Sequence, residues 1–352
     1  MSVTEPAPVA PPSAHEGILR RQTLRESAAR TYARSLPIVP VRARGLTIEG
    51  ADGRRYLDCL SGAGTLALGH NHPVVLEAIR KVIDSGAPLH VLDLATPVKD
   101  AFTTELFATL PRELADNARI QFCGPAGTDA VEAAFKLVRA ATGRTGLLTF
   151  TGAFWAVEHS GIVPDVMVLS KAIGGSLPLA VIVYRAELDL WQPGAHAGTF
   201  RGNQLAMAAG AATLAYVREN RLADRAAVLG ARLLARLTEL RALHPGIGDV
   251  RGRGLMIGME LVDPERAPLP AEAGDDHPAP PPDPALALAV QQECLRRGLI
   301  VELGGRHDAV VRLLPPLTIT DEQASAVVDR LADALAAATR SPHRRTTAGP
   351  TT

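Results

Sequence analysis

An apolar run, Val166 to Leu169, ends on Ser170 and Lys171 and then breaks into Ala172, Ile173, Gly174, Gly175 and Ser176. A strand that empties into a glycine turn leaves the lysine amine at the carboxyl edge of a sheet, where open α/β folds keep their ligands. Lysine is the side chain that condenses with an aldehyde, and partial burial lowers its pKa toward the neutral amine this chemistry needs. A plain surface lysine after a strand fits the same pattern, so the surrounding segments have to decide.

The chain has 352 residues, 47% of them hydrophobic, enough for a large core and two domains. Its 37 basic and 37 acidic side chains cancel. No global field therefore draws it to nucleic acid or to an anionic membrane. Cys59, Cys123 and Cys294 stand far apart in apolar segments, without the spacing of a metal site or disulfide framework, and read as buried thiols in a reducing compartment. The first twelve residues lack a basic start and an apolar stretch, and no apolar run reaches membrane length. The expectation is a cytoplasmic protein that handles small molecules.

In chain order, a head over residues 1–18 precedes a helix-compatible stretch at 19–33, and Pro37 and Pro40 impose an extended passage. Alternating residues at 45–50 and 55–60 around Asp52 and Gly53 predict an antiparallel hairpin. The following loop carries His70 and His72; with no third ligand nearby, loop and capping roles outweigh metal binding. Pro73 starts a helix whose inner face is Val75, Ile79, Val82 and Ile83, and another helix covers 99–110. A strand at 118–123 runs into Gly124, Pro125, Ala126, Gly127, Thr128 and Asp129, then into a helix with Val131, Ala134, Phe135 and Val138 inward. Glycine-rich backbone at a helix start, with the Thr128 hydroxyl, suits a phosphate; Thr128 and Asp129 acting only as helix caps is the equal alternative. Apolar runs at 146–150, 166–171 and 179–184 predict parallel strands. A polar glycine loop at 198–203 leads to helices over 204–218 and 224–243. Further on come a strand in the second half of 249–261, an exposed loop at 263–285, a helix at 286–297, strands at 299–302 and 310–317, and a last helix at 320–337.

Six segments occur in the order found in class III aminotransferases of pyridoxal-phosphate fold type I, and the chain resembles that family. They are residues 52–58, 68–73, 127–133, 169–175, 198–203 and 311–317, and the likeness covers residues 26–338. Residues 26–34 and 124–127 are similar to the diaminobutyrate:2-oxoglutarate subgroup. The resemblance implies an α/β fold: a mostly parallel central sheet flanked by helices, plus a smaller α+β domain made from both chain ends. The implied parts are 19–72 for the small domain, 73–243 for the large cofactor domain, 244–338 for the rest of the small domain, and a tail over 339–352.

It further implies that Lys171 is the Schiff-base lysine and proton shuttle, that Gly127 and Thr128 hold the pyridoxal 5'-phosphate phosphate, and that Thr199 reaches that phosphate from a second subunit of a homodimer. Arg312 would grip the substrate carboxylate, a strand-edge surface charge being the plainer role for it. The partners implied are a small-molecule amino acid and a 2-oxo acid, with no nucleic acid, membrane or metal.

One departure stands out. Between residues 149–153 and 154–161 the family's ring-stacking aromatic, two strands and the aspartate that pairs with the pyridine nitrogen are absent, and the chain is about a hundred residues short. That aspartate keeps the ring an electron sink, so weak cofactor affinity and low turnover are expected. Neither Asp165 nor Trp155 offers a clear substitute. The alternatives are a non-catalytic dimeric scaffold, and a racemase or aminomutase of the same fold.

Overall fold

The computed structural model describes residues 14–143, 163–266 and 280–340. The expected strand at 146–150, the departure at 149–161, Trp155, the centre of the 263–285 loop and both chain ends lie outside the described residues.

The chain starts with α1 (Ala14–Arg25) and α2 (Tyr32–Ser35). The single helix expected over 19–33 is thus divided. At the break, Ser27 accepts the Ala29 N–H and its carbonyl accepts the Arg30 Nε–H, the local competition by which serine ends helices. Next come β1 (Pro40–Arg44), β2 (Thr47–Gly50) and β3 (Arg55–Asp58). The predicted hairpin is β2 against β3, and β1 adds a third antiparallel strand.

After the distorted turn α3 (Ser61–Gly64), α4 (Pro73–Asp84) begins at the expected proline. Val75 and Val82 are buried, but Ile83 is exposed, because at 100° per residue it falls about 80° from Val75, at the edge of the stripe. α5 (Pro97–Thr109) and α6 (Arg112–Ala115) precede β4 (Ala118–Phe122) and α7 (Gly127–Thr142). α7 corrects a second stripe: it buries Ala130, Ala133, Ala134 and Leu137, while Val131 and Phe135 stay exposed and Val138 is half-buried. Three alanines bring the helix close to the sheet, against Ala180, Ile182 and Tyr184.

The strands β5 (Val166–Leu169) and β6 (Val181–Arg185) complete a sheet of order β4-β6-β5. Here the direction expected for residues 179–184 is corrected. β4 and β5 run parallel to each other, but β6 lies between them antiparallel to both. A fully buried strand reads as one apolar run whichever way it points. The core on one face of this sheet takes Phe102 and Leu106 from α5 and Met207 from α8 (Gln204–Glu219).

Past α9 (Leu222–Leu243), the strands β7 (Ile247–Arg253) and β8 (Met256–Leu261) form a hairpin about Gly254, so both halves of 249–261 are strand. Asp283 caps α10 (Pro284–Arg296) by accepting the Leu286 N–H. The expected strand at 299–302 splits into β9 (Leu299–Ile300) and β10 (Glu302–Gly304), which enter different sheets. β9 pairs parallel with β3, whereas β10, β11 (Val310–Leu313), β8 and β7 form an antiparallel sheet. α11 (Asp321–Arg340) closes the chain. Leu46 and Cys59 share one core with Leu299, Val311 and Leu331, so both ends of the sequence build one body. Among the described residues no helix is long and apolar enough to cross a membrane.

Candidate active site

The sheet register sets the site. Val181, the first residue of β6, pairs with Phe122 on one side and Leu169 on the other. The residues that follow each partner, Cys123-Gly124 and Ser170-Lys171, therefore leave the sheet at the same edge, the carboxyl ends of β4 and β5. Lys171 is exposed and holds φ +55°, a left-handed conformation that costs a side-chain-bearing residue about 1–3 kcal/mol. The turn behind it needs its glycine: Gly175 has φ +57°, and a Cβ there would lie 2.3 Å from the Ala209 carbonyl oxygen on α8.

α7 begins beside the residue that precedes this lysine. A Cβ on Gly127 would stand 3.4 Å from Ser170, the residue before Lys171. Ala126 occupies the N-cap and no side chain caps the helix among the described residues. Neither Thr128 nor Asp129 fills the cap role; Thr128 is exposed. Asp129 turns backward, its Oδ2 accepting the Gly124 N–H at 2.5 Å and facing His196 Nε2 at 3.1 Å. Free N–H groups, the positive helix end and the Thr128 hydroxyl thus remain available to an anion. Burial pushes the neighbouring Cys123 thiol up to about 12.

Thr199 is exposed on the loop before α8, its carbonyl held by His90 Nε2 at 2.6 Å. Gly198 packs on Gly124 of the same chain, where an added Cβ would meet the Gly124 nitrogen at 3.4 Å. Arg201 fixes the loop through Asp93 at 2.7 Å and the His196 carbonyl.

Arg312 lies on β11, and none of its described contacts reaches Lys171. Its Nη2 pairs with Glu302 Oε2 at 3.0 Å, and Tyr32 donates its hydroxyl to Glu302 Oε1 at 2.9 Å. That hydrogen bond raises the Tyr32 pKa. The Arg312 Nε is buried with no partner among the described residues. His70 braces the loop by pairing with Asp58 at 2.8 Å, whereas His72 packs edge-on against Tyr216 and caps nothing with its side chain. Asp165 pairs with Arg185 at the opposite end of β5 from Lys171, so it cannot serve the ring.

A family model for class-III aminotransferases matches the chain over residues 28–154 and 143–335. The chain belongs to the class III aminotransferases. It is 42% identical to a diaminobutyrate–2-oxoglutarate aminotransferase of Rhizobium meliloti, across 91% of this chain and 92% of the relative. A second relative of that name, from Haemophilus influenzae, is 35% identical over 90% of this chain and 94% of its own. Among solved structures, acetylornithine aminotransferase from Elizabethkingia anophelis superposes with a TM-score of 0.74 at 20% identity, over 92% of this chain and 99% of that one. An (S)-enantioselective omega-transaminase from Thermomicrobium roseum gives 0.75 at 19% identity, over 92% and 98%. At those identities the likeness shows the fold.

As a class III aminotransferase the protein is an enzyme that uses pyridoxal 5'-phosphate, with an amino acid and a 2-oxo acid as substrates. The residues present fit the cofactor's two ends: an uncapped helix start for its phosphate, and, on the turn that passes it, an exposed lysine for its aldehyde. The ring itself is less well served. The Rhizobium meliloti alignment spans 440 positions, while 91% of 352 residues is about 320, so about 120 aligned positions have no residue here. The two family matches meet within residues 143–154, which places the gap where the sequence pattern breaks.

Sequence reasoning missed Asp129 as a brace, His196, and the Tyr32–Glu302 support of Arg312. Only Asp129 carried a signal, its place beside the Gly127-Thr128 turn. The others depend on residues far away in the chain.

Proposed function

We propose that the chain is an aminotransferase acting on a diamino acid, 2,4-diaminobutyrate, with 2-oxoglutarate as amino acceptor, working as a homodimer with reduced cofactor retention and turnover. The observation that carries this reading is Lys171 beside the Gly127 helix start, in a chain 42% identical to a relative bearing that activity's name.

When bound, the cofactor would supply an electron-accepting ring for the carbanion chemistry. The protein's residues do the rest. Lys171 Nζ would hold the cofactor's aldehyde end and would carry a proton to and from the substrate Cα. Gly127 N–H and the Thr128 hydroxyl would hold the cofactor's phosphate at the positive end of the α7 dipole. Arg312, planar and always charged, takes the substrate carboxylate in two-point fashion in exchange for Glu302. Because amino donor and acceptor use one site in turn, kinetics are ping-pong.

Thr199 lends its hydroxyl across the dimer. Support for that dimer comes from the exposed large apolar side chains Leu89, Leu92, Leu94 and Phe200, from the Thr199 loop and the segment it hydrogen-bonds. The large domain is residues 73–243, and the small domain combines 19–72 with 244–338.

A second reading, a non-catalytic dimeric scaffold, is favoured by the about 120 absent positions. The visible spectrum of the protein with added pyridoxal phosphate, beside Lys171→Ala, separates the two. A band that needs Lys171 and shifts with 2,4-diaminobutyrate supports the enzyme. Absence of any lysine-dependent band supports the scaffold, and amino-acid turnover that ignores 2-oxoglutarate points to a racemase or aminomutase.

A further inference from the structure

Behind the phosphate cradle lies a cluster of side chains that amino-group transfer does not use. Cys123 follows β4, Asp129 sits in the first turn of α7, and His196 precedes the Gly198 loop; a donor atom from each lies within 4.8 Å of the other two. Cys123 is 1% exposed and the His196 side chain 4%. His196 faces the cluster with Nε2, 3.1 Å from Asp129 Oδ2. The Cys123 sulfur makes a long 3.6 Å contact with the Gln121 carbonyl and accepts from the Ile182 backbone.

We propose that Cys123, Asp129 and His196 form a site for a borderline-soft divalent cation such as Zn2+, and that filling it weakens the adjoining phosphate cradle. Thiolate, imidazole and carboxylate are the donors zinc takes, at about 2.3, 2.0–2.1 and 2.0–2.2 Å, and tetrahedral bonds of those lengths set the donors roughly 3.3–3.7 Å apart. The cluster has only about an ångström to contract. Three protein ligands leave a fourth position for water. Binding replaces the Cys123 S–H bond with a metal–sulfur bond and releases one proton to solvent. Mg2+, which demands an oxygen octahedron, is excluded. Linear spacing conceals the site, since Asp129 and His196 are 67 residues apart.

The coupling rests on reading Gly127 and Thr128 as the cofactor's phosphate cradle. Asp129 now pins the turn through the Gly124 N–H. Drawing its carboxylate to a metal shifts the first turn of α7 against Ser170, so phosphate affinity falls. Reciprocally, bound cofactor lowers metal affinity by the same factor.

The test uses the full chain, stripped of cofactor and titrated with Zn2+ against a chromogenic chelator, and with Co2+ followed by visible absorption. Wild type is compared with Cys123→Ser, His196→Asn and Asp129→Asn, each checked for fold by circular dichroism. One Zn2+ per chain, a thiolate-to-cobalt absorption band, and at least about tenfold weaker binding in each variant are expected. No binding by the wild type, or binding unchanged in Cys123→Ser and His196→Asn, overturns the site. The wild-type cobalt band needs no variant, so a misfolded variant does not leave the question open. Pyridoxal phosphate should weaken Zn2+ binding about fivefold or more. Unchanged zinc affinity with cofactor present overturns the coupling alone. Zinc bound at this site in a protein with no lysine-dependent band overturns the aminotransferase reading instead.

Discussion

Gly127 lies against Ser170, 3.4 Å from where its own Cβ would be, and this contact joins the start of α7 to the residue that precedes Lys171. The two come from segments more than forty residues apart, brought together because Phe122 and Leu169 flank the same residue, Val181, in the sheet. A phosphate at the helix start and an amine on the turn can then belong to one molecule. That is the geometric content of the proposed site.

Lys171 holds a strained backbone, and the strain should be measurable. Lys171→Ala keeps φ at +55° with a Cβ, whereas Lys171→Gly removes the Cβ and the penalty. The glycine variant is expected to melt about 2 °C above the alanine variant, corresponding to about 1 kcal/mol. Equal melting temperatures in calorimetry would show that the turn carries no strain.

Gly175 is required twice over, by its positive φ and by the Ala209 carbonyl oxygen, which stands 2.3 Å from where a Cβ would be. Gly175→Ala should cost about 2–4 kcal/mol, read as a lower urea midpoint, and move the Lys171 turn away from α8. A midpoint equal to wild type would mean that α8 gives way without loss.

His72 gives the protein an acid-sensitive brace. Burial lowers its pKa, so the folded chain holds the ring neutral where the unfolded chain would protonate it. Because the unfolded state binds more protons between the two values, stability rises with pH there, is fully present above about 6.5, and falls as pH drops below it. His72→Phe, which keeps the edge contact with Tyr216, should flatten this part of the stability–pH curve in urea melts. The same slope in wild type and variant would assign it to another group.

Phe200 tests the dimer. Phe200 is 67% exposed, and Leu89, Leu92 and Leu94 are exposed as well. Phe200→Asp places a charge in the proposed interface and is expected to shift the mass measured by light scattering from dimer to monomer, with the circular dichroism spectrum unchanged. A variant that stays dimeric moves the interface elsewhere.

Much of this was legible in the chain itself. The hairpin about Asp52 and Gly53, the start of α4 at Pro73, and the strand-to-turn passage at Lys171 rest on signals that act over a few residues: a glycine that tolerates positive φ, a proline that lacks an N–H, an apolar alternation. The six ordered segments carried the family. The burial stripes were harder. Along α7 the bulky Val131 and Phe135 drew the expected face, yet the helix turns Ala130, Ala133 and Ala134 to the sheet, since close approach rewards small side chains more than large ones.

The sequence by itself determined the turn at Asp52 and Gly53, the start of α4 at Pro73 and the glycine turn that follows β5, because those properties depend on near neighbours in the chain. Only the tertiary structure decided that β6 runs antiparallel between β4 and β5, that Glu302 and Tyr32 hold Arg312, and that His196 meets Asp129 beside Cys123. Strand direction and long-range pairing leave no local trace: an apolar run is buried equally well either way, and a side chain chooses its distant partner through packing alone.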